Sequence, residues 1–228
     1  MRAPNYRAEE VGIDGKLRPV DSGPIRTFKG TVRGMEGALA RFTVDEKHIE
    51  GLILTQSAQY FIEPARKYSS SAGPSDYLLY NSSDAVESSE SGCGVTLSEA
   101  VESRAESFQS RVYPSKSSQE QTDSASATST LRVVELATEA DYEYVTRLGG
   151  STQANNEILS IMNQVDGIYN TDVGIGFTIV YQHTWATAND PYTSLSLYTT
   201  LRDFTSYWNA NLGNVTRDFS SHVFGSLV

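Results

Sequence analysis

The stretch Leu131-Arg132-Val133-Val134-Glu135-Leu136-Ala137-Thr138-Glu139-Ala140-Asp141 decides how the second half of this chain folds. Its first six residues are rich in apolar and β-branched side chains and read as a strand. Thr138-Glu139-Ala140-Asp141 matches a capping box, so a helix is expected to start there. Gly149-Gly150 breaks that helix. Ile158, Ile161, Val165 and Ile168 then keep helical spacing, and residues 175–181 alternate as a strand. Leu197, Leu201, Phe204 and Trp208 share one face of a further helix, closed by Gly213. This order predicts an α/β sandwich with a mainly parallel sheet over residues 131–228.

Working outward, residues 25–68 read as a β-meander. Phe28, Val32, Phe42 and Val44 recur at even spacing, residues 49–54 continue the pattern, and Tyr60-Phe61-Ile62 is stopped by Pro64. Gly30, Gly34 and Gly37 supply turns, and residues 77–80 add a last short strand. Residues 82–130 are dominated by Ser with Glu, Gln and Thr. They cannot bury enough apolar surface to offset their ordering entropy, so they read mostly as linker. A short helix near residues 97–108 would place Leu97, Val101 and Phe108 near one face. The expected division is a β-rich domain over 1–95, a Ser-rich linker over 96–130 and the α/β part over 131–228, α+β overall.

The chain has 228 residues and a formal charge of −10. That argues against a nucleic-acid partner, which would want a basic face, and against an anionic membrane surface. No apolar run reaches the ~18–20 residues of a membrane span. Met1-Arg2-Ala3-Pro4 is not followed by the apolar core of a signal peptide. No phosphate-binding or dinucleotide fingerprint appears, since Gly174-Ile175-Gly176 opens a strand rather than a helix. No Gly-x-Ser-x-Gly elbow is present.

Several stretches of the second half resemble the reprolysin (adamalysin-like) group of metzincin zinc peptidases. Val134-Glu135-Leu136 with Ala140-Asp141 is similar to their first strand. Asn156-Glu157-Ile158 through Ile168-Tyr169-Asn170 resembles their first long helix, and Gly176-Phe177 to Trp185 their second strand. Arg217-Asp218-Phe219-Ser220-Ser221-His222-Val223-Phe224-Gly225 resembles a stretch that often reads like RDxxxHLFTG. The resemblance implies the first part of a three-layer catalytic domain behind a β-rich propeptide. It also implies zinc as the cofactor of the complete enzyme, protein or peptide substrates, and a secreted or periplasmic location.

These enzymes are defined by HExxHxxGxxH, whose histidines bind zinc and whose glutamate activates water. The chain has no such motif; its histidines, His48, His183 and His222, are scattered. The sequence is therefore expected to be a fragment cut before the zinc helix, inactive and zinc-free by itself. The sole cysteine, Cys93, sits in Ser91-Gly92-Cys93-Gly94-Val95 between a β-rich domain and a cleavable linker. It reads either as a latency switch, whose thiolate would occupy zinc, or as a solvated, unused thiol. The resemblance also implies calcium ligands at Glu135, on a strand, and Asp218, at a helix end. The simpler reading of these two is a pair of salt-bridged carboxylates, since calcium takes about six to eight oxygens. His183 and a helical His222 read as packing residues among aromatics. The alternative function is a non-catalytic secreted binding protein with a β-domain and an α/β module. A third is a stand-alone inhibitor that delivers Cys93 to another protein's zinc.

Overall fold

The computed structural model describes residues 1–46, 49–85, 131–194, 196–223 and 225. Cys93, His48 and the expected linker over 96–130 lie outside the described residues. The first half forms β1 (Arg2–Val11), β2 (Leu17–Pro19), β3 (Thr27–Thr31), β4 (Leu39–Val44), β5 (Ile49–Leu54), β6 (Gln59–Pro64) and β7 (Tyr77–Asn81). The second forms β8 (Arg132–Ala140), α1 (Tyr142–Leu148), α2 (Ser151–Val173), β9 (Ile175–Trp185), α3 (Leu197–Asn211) and β10 (Phe219–Val223). The chain is a mixed α/β protein with two sheets.

Strands β3 to β7 make the expected antiparallel meander in sequence order. The other sheet has the order β10-β8-β9-β1-β2. Strands β10, β8, β9 and β1 run parallel, and β2 returns antiparallel along β1. The two strands nearest the N-terminus therefore complete the sheet of the second half, and both flanks of residues 87–129 pack as one compact unit. The register of β1 on β9 breaks between Arg2 and Arg7. Pro4 lies in that break, where its missing N–H costs the ladder nothing.

Helix α3 covers one face of this sheet, packing Phe204, Trp208 and Leu212 on Ala137, Val180, Tyr181 and Trp185. Helix α2 covers the other face. Ala154 and Ile158 meet Ala140, Tyr144 and Val145, while Leu159 meets Leu136 and Ile179. The meander lies on the far side of α2, so that helix is enclosed between two sheets. A bulge sorts the side chains of β9. Leu136 pairs with Ile179 but Ala137 pairs with Tyr181, leaving Val180 as the extra residue. The bulge keeps Ile179 towards α2 and turns Tyr181 and Trp185 towards α3.

Three local expectations are corrected. Thr138 does not cap a helix: it is buried inside β8, and its hydroxyl accepts from Gln182 Nε2 at 3.2 Å. The cap of α1 is Asp141, whose carboxylate accepts the Tyr144 N–H at 2.8 Å. Residues 219–223, with His222, are strand and not helix, and Asp218 immediately precedes that strand. A five-residue segment shows too few turns for periodicity to decide, and here pairing along β8 decides it. On α3, Leu201 is 55% exposed, so the buried stripe narrows to Phe204 and Trp208. The Gly149-Gly150 break holds: Gly149, at φ 88°, closes α1 in the left-handed region that favours glycine.

Candidate functional site

The chemistry-bearing side chains of the second half converge on Glu139. β8 alternates, sending Leu136 and Ala140 to α2 and Ala137 and Glu139 to α3. Glu139 is fully buried. Its Oε1 accepts from Trp185 Nε1 at 3.1 Å and from the Tyr192 hydroxyl. Its Oε2 accepts from His183 Nδ1 at 2.9 Å and from Trp208 Nε1. Both tryptophans of the chain thus donate to one carboxylate. The ring of His222 lies beside it, with Nδ1 3.9 Å from Oε1, and its centroid is 4.3 Å from that of Tyr192, the two rings tilted by 53°.

Four donors from β9, α3 and the loop between them satisfy an anion that burial would otherwise make costly. The electrostatics follow from the same geometry. Burial pushes His222 down to about 4, against the pull of Glu139, so its ring is neutral at ordinary pH. Burial and then the Glu139 charge push the Tyr192 hydroxyl well above the usual phenol range, so it only donates. The Nδ1–H tautomer of His183 is the one that serves the carboxylate. Its Nε2 then has no partner among the described residues. With no solvent access, this cluster does no acid–base work on a substrate. It fastens α3 and β9 across the sheet. His183 and His222 are the packing residues the sequence predicts; Glu139 is the residue that sequence reasoning missed.

A second cluster marks the α2 face towards the meander. Asp166 is buried and bonded by Lys29 Nζ at 2.7 Å, Arg41 Nε at 3.1 Å and the Phe177 N–H at 2.8 Å. Burial alone would raise its pKa, yet the Lys29, Phe177 and Arg41 bonds hold it below the ordinary carboxylate range. One turn earlier, Asn163 Nδ2 donates to the carbonyls of Phe28 and Phe42, and the Ser160 hydroxyl donates to buried Glu50. Lys67 pairs with the same Glu50.

Glu135 and Asp218 lie side by side, the Asp218 carboxylate and both main chains making the contact. The Glu135 N–H donates to Asp218 Oδ2 at 2.8 Å, and the Asp218 N–H to the Glu135 carbonyl at 2.9 Å. Among the described residues, no group of three or more His, Cys, Asp or Glu side chains could hold a metal ion. The described residues therefore do not fit a zinc site. No helix among them is long and apolar enough to cross a membrane. Asp141 also ties the end of the last strand, since its two oxygens each lie 2.9 Å from the Gly225 N–H.

Comparison with known proteins adds to this geometry. A family model of the reprolysin type, described as metallo-peptidase family M12, matches residues 130–224. The chain is 26% identical over 214 residues to disintegrin and metalloproteinase domain-containing protein 22 of Xenopus laevis. That match takes in 89% of this chain and 22% of the relative, so the chain spans about a fifth of the relative's length. Residues 130–224 contain β8, α1, α2, β9 and α3 together with β10, so the match coincides with the sheet and helices around Glu139. Residues 130–224 are thus similar to the reprolysin-type metallo-peptidases of family M12, and the chain as a whole resembles part of a disintegrin and metalloproteinase domain-containing protein.

Proposed function

We propose that this chain is part of a zinc-dependent metalloendopeptidase precursor, exported from the cell, in which residues 1–95 keep the enzyme latent. The observation that carries the reading is the match over residues 130–224 to a peptidase family, on a segment that folds as a parallel β9-β8-β10 sheet between α2 and α3. The described residues hold no zinc site, so this reading assigns peptide-bond hydrolysis to residues outside this sequence. To this chain it assigns the scaffold and the latency. Cys93 is the latency thiol, a strong zinc ligand in its thiolate form. Glu135 and Asp218 are the chain's share of a calcium site, whose remaining oxygens come from other residues.

The reading is tested at two levels. The chain alone, purified from zinc-supplemented medium, is expected to carry no stoichiometric zinc and to hydrolyse no protein substrate. One tightly bound zinc per chain with chelator-sensitive hydrolysis overturns that assignment. The full gene is expected to encode HExxHxxGxxH; without it, the non-catalytic binding protein becomes the better reading. In the complete precursor, Cys93→Ser is expected to raise activity before any processing. A tethered thiol acts at an effective concentration on the order of millimolar, and a serine hydroxyl cannot replace it. Unchanged latency would remove the thiol from the mechanism and leave steric blockage.

A further inference from the structure

The first half of the chain is attached to the second in two chemically different ways. The β1–β2 hairpin is built into the sheet. Arg7 to Val11 pair in parallel with Tyr181 to Trp185. Ala3 and Val11 are buried in the same core cluster as Trp185 and Trp208. Tyr6 donates to Gln182 at 2.7 Å, and Tyr181 donates to Glu9 at 2.7 Å. Removing this hairpin would bare the edge of β9 from Ile179 to Trp185, an unpaired strand edge of the kind proteins avoid.

The meander is joined by a different chemistry. Its bonds to α2 come from Ser160, Asn163 and Asp166, which occupy one polar stripe of that helix. Among the described residues, Ala38, Ala40, Leu52 and Leu54 are its buried apolar side chains. The stripe would be at home in water, as the surfaces of dissociable partners are. Only two covalent connections hold the meander: the segment leading out of β7, and residues 21–26 between β2 and β3. In the latter, Asp21, Gly23, Pro24 and Ile25 are exposed.

We propose that the polar stripe of α2 is a docking surface for a separable meander, residues 27–85, while the hairpin of residues 1–20 is a permanent part of the sheet formed by β8, β9 and β10. The proposal holds whether or not the zinc-peptidase reading does. It places the boundary between removable and retained chain near residue 24, far from the Ser-rich segment where composition alone would put it. Cutting the chain at both connections lets the meander leave and leaves the hairpin behind.

The test inserts one protease recognition sequence between Pro24 and Ile25 and another between Pro114 and Ser115 of the full chain. The chain is cut to completion at both, and the complexes are resolved by gel filtration and mass spectrometry. At low salt all three pieces are expected to travel together. Raising salt from about 0.1 M to about 1 M shortens the screening length from about 10 Å to about 3 Å. The retained meander is then expected to fall by about tenfold or more, with the hairpin still bound to residues 131–228. Lys29→Gln, at the half-exposed lysine that pairs with Asp166 of α2, is expected to give the same release at lower salt. Departure of the hairpin with or before the meander overturns the proposal. So does a meander that stays bound at high salt in the Lys29→Gln variant.

Discussion

Glu139 and Asp166 are both buried carboxylates with several donors, and the donors differ in kind. Those of Glu139 are two indoles, a phenol and an imidazole, all from the second half of the chain. Those of Asp166 include two cations, Lys29 and Arg41, from the first half. A ring of buried donors from one half of the chain is a fixed internal fastening, out of reach of solvent ions. A cation pair across two segments is a joint: strong while both partners are present, and tolerable in water when one leaves. The same helix-and-sheet framework thus uses one kind of carboxylate to hold itself together and another to hold something that can be taken away.

The sharpest attack on this contrast is Glu139→Ala. It strands four buried donors at once, with an expected cost of about 3–5 kcal/mol, the range for breaking a buried charge network. The melting temperature measured by calorimetry is expected to fall by roughly 10 °C or more. A loss below about 1 kcal/mol would show that the cluster packs as well without its anion. Asp166→Asn is expected to cost less, about 2–3 kcal/mol, because Lys29 is half-exposed and can turn to water while Arg41 cannot. Adding Arg41→Met should recover most of that loss, since an apolar pair can replace a buried ion pair. No such rescue is expected for any single second change beside Glu139→Ala.

The subtlest effect is in the pH dependence. His222 has its pKa depressed from 6.5 to about 4, so its contribution is present above about pH 6.5 and lost as pH falls through about 4. Asp141 is raised by burial from 3.8 to about 6, so its contribution is present below about 3.8 and lost as pH rises through about 6. The two oppose each other over nearly the same window. His222→Gln is therefore expected to leave a stability that declines from pH 4 to pH 6, and Asp141→Asn one that climbs over that interval. Parallel profiles for the two variants in urea titrations would refute the opposition.

Much of this architecture is legible in the sequence, and the failures have physical reasons. The meander shows through short β-prone runs between turns, although Phe28 and Val44 lie exposed while Arg41, Thr43 and Glu50 are buried, so the polarity of its inner face is the reverse of what the sequence suggests. The long helix shows through Ile158, but Ile161 is 44% exposed while Asn163 and Asp166 are buried. A helix enclosed between two sheets buries a polar stripe that reads from the sequence as solvent-facing. β1 carries Arg2, Asn5, Arg7, Glu9 and Glu10, and nothing in that polarity signals that it closes a sheet begun 130 residues later. Glu139 was invisible for a related reason. A lone glutamate reads as surface, and its donors come from Trp185, Tyr192 and Trp208, which share no local pattern with it.

The convergence of Trp185 and Trp208 on one carboxylate also makes the protein a single-site optical reporter. All tryptophan emission originates within hydrogen-bonding distance of Glu139, and none arises in the meander. A change in emission colour or quenching therefore registers the state of the sheet and α3 alone. Loss of the meander would leave the tryptophan spectrum in place while its share of the far-ultraviolet dichroism disappears.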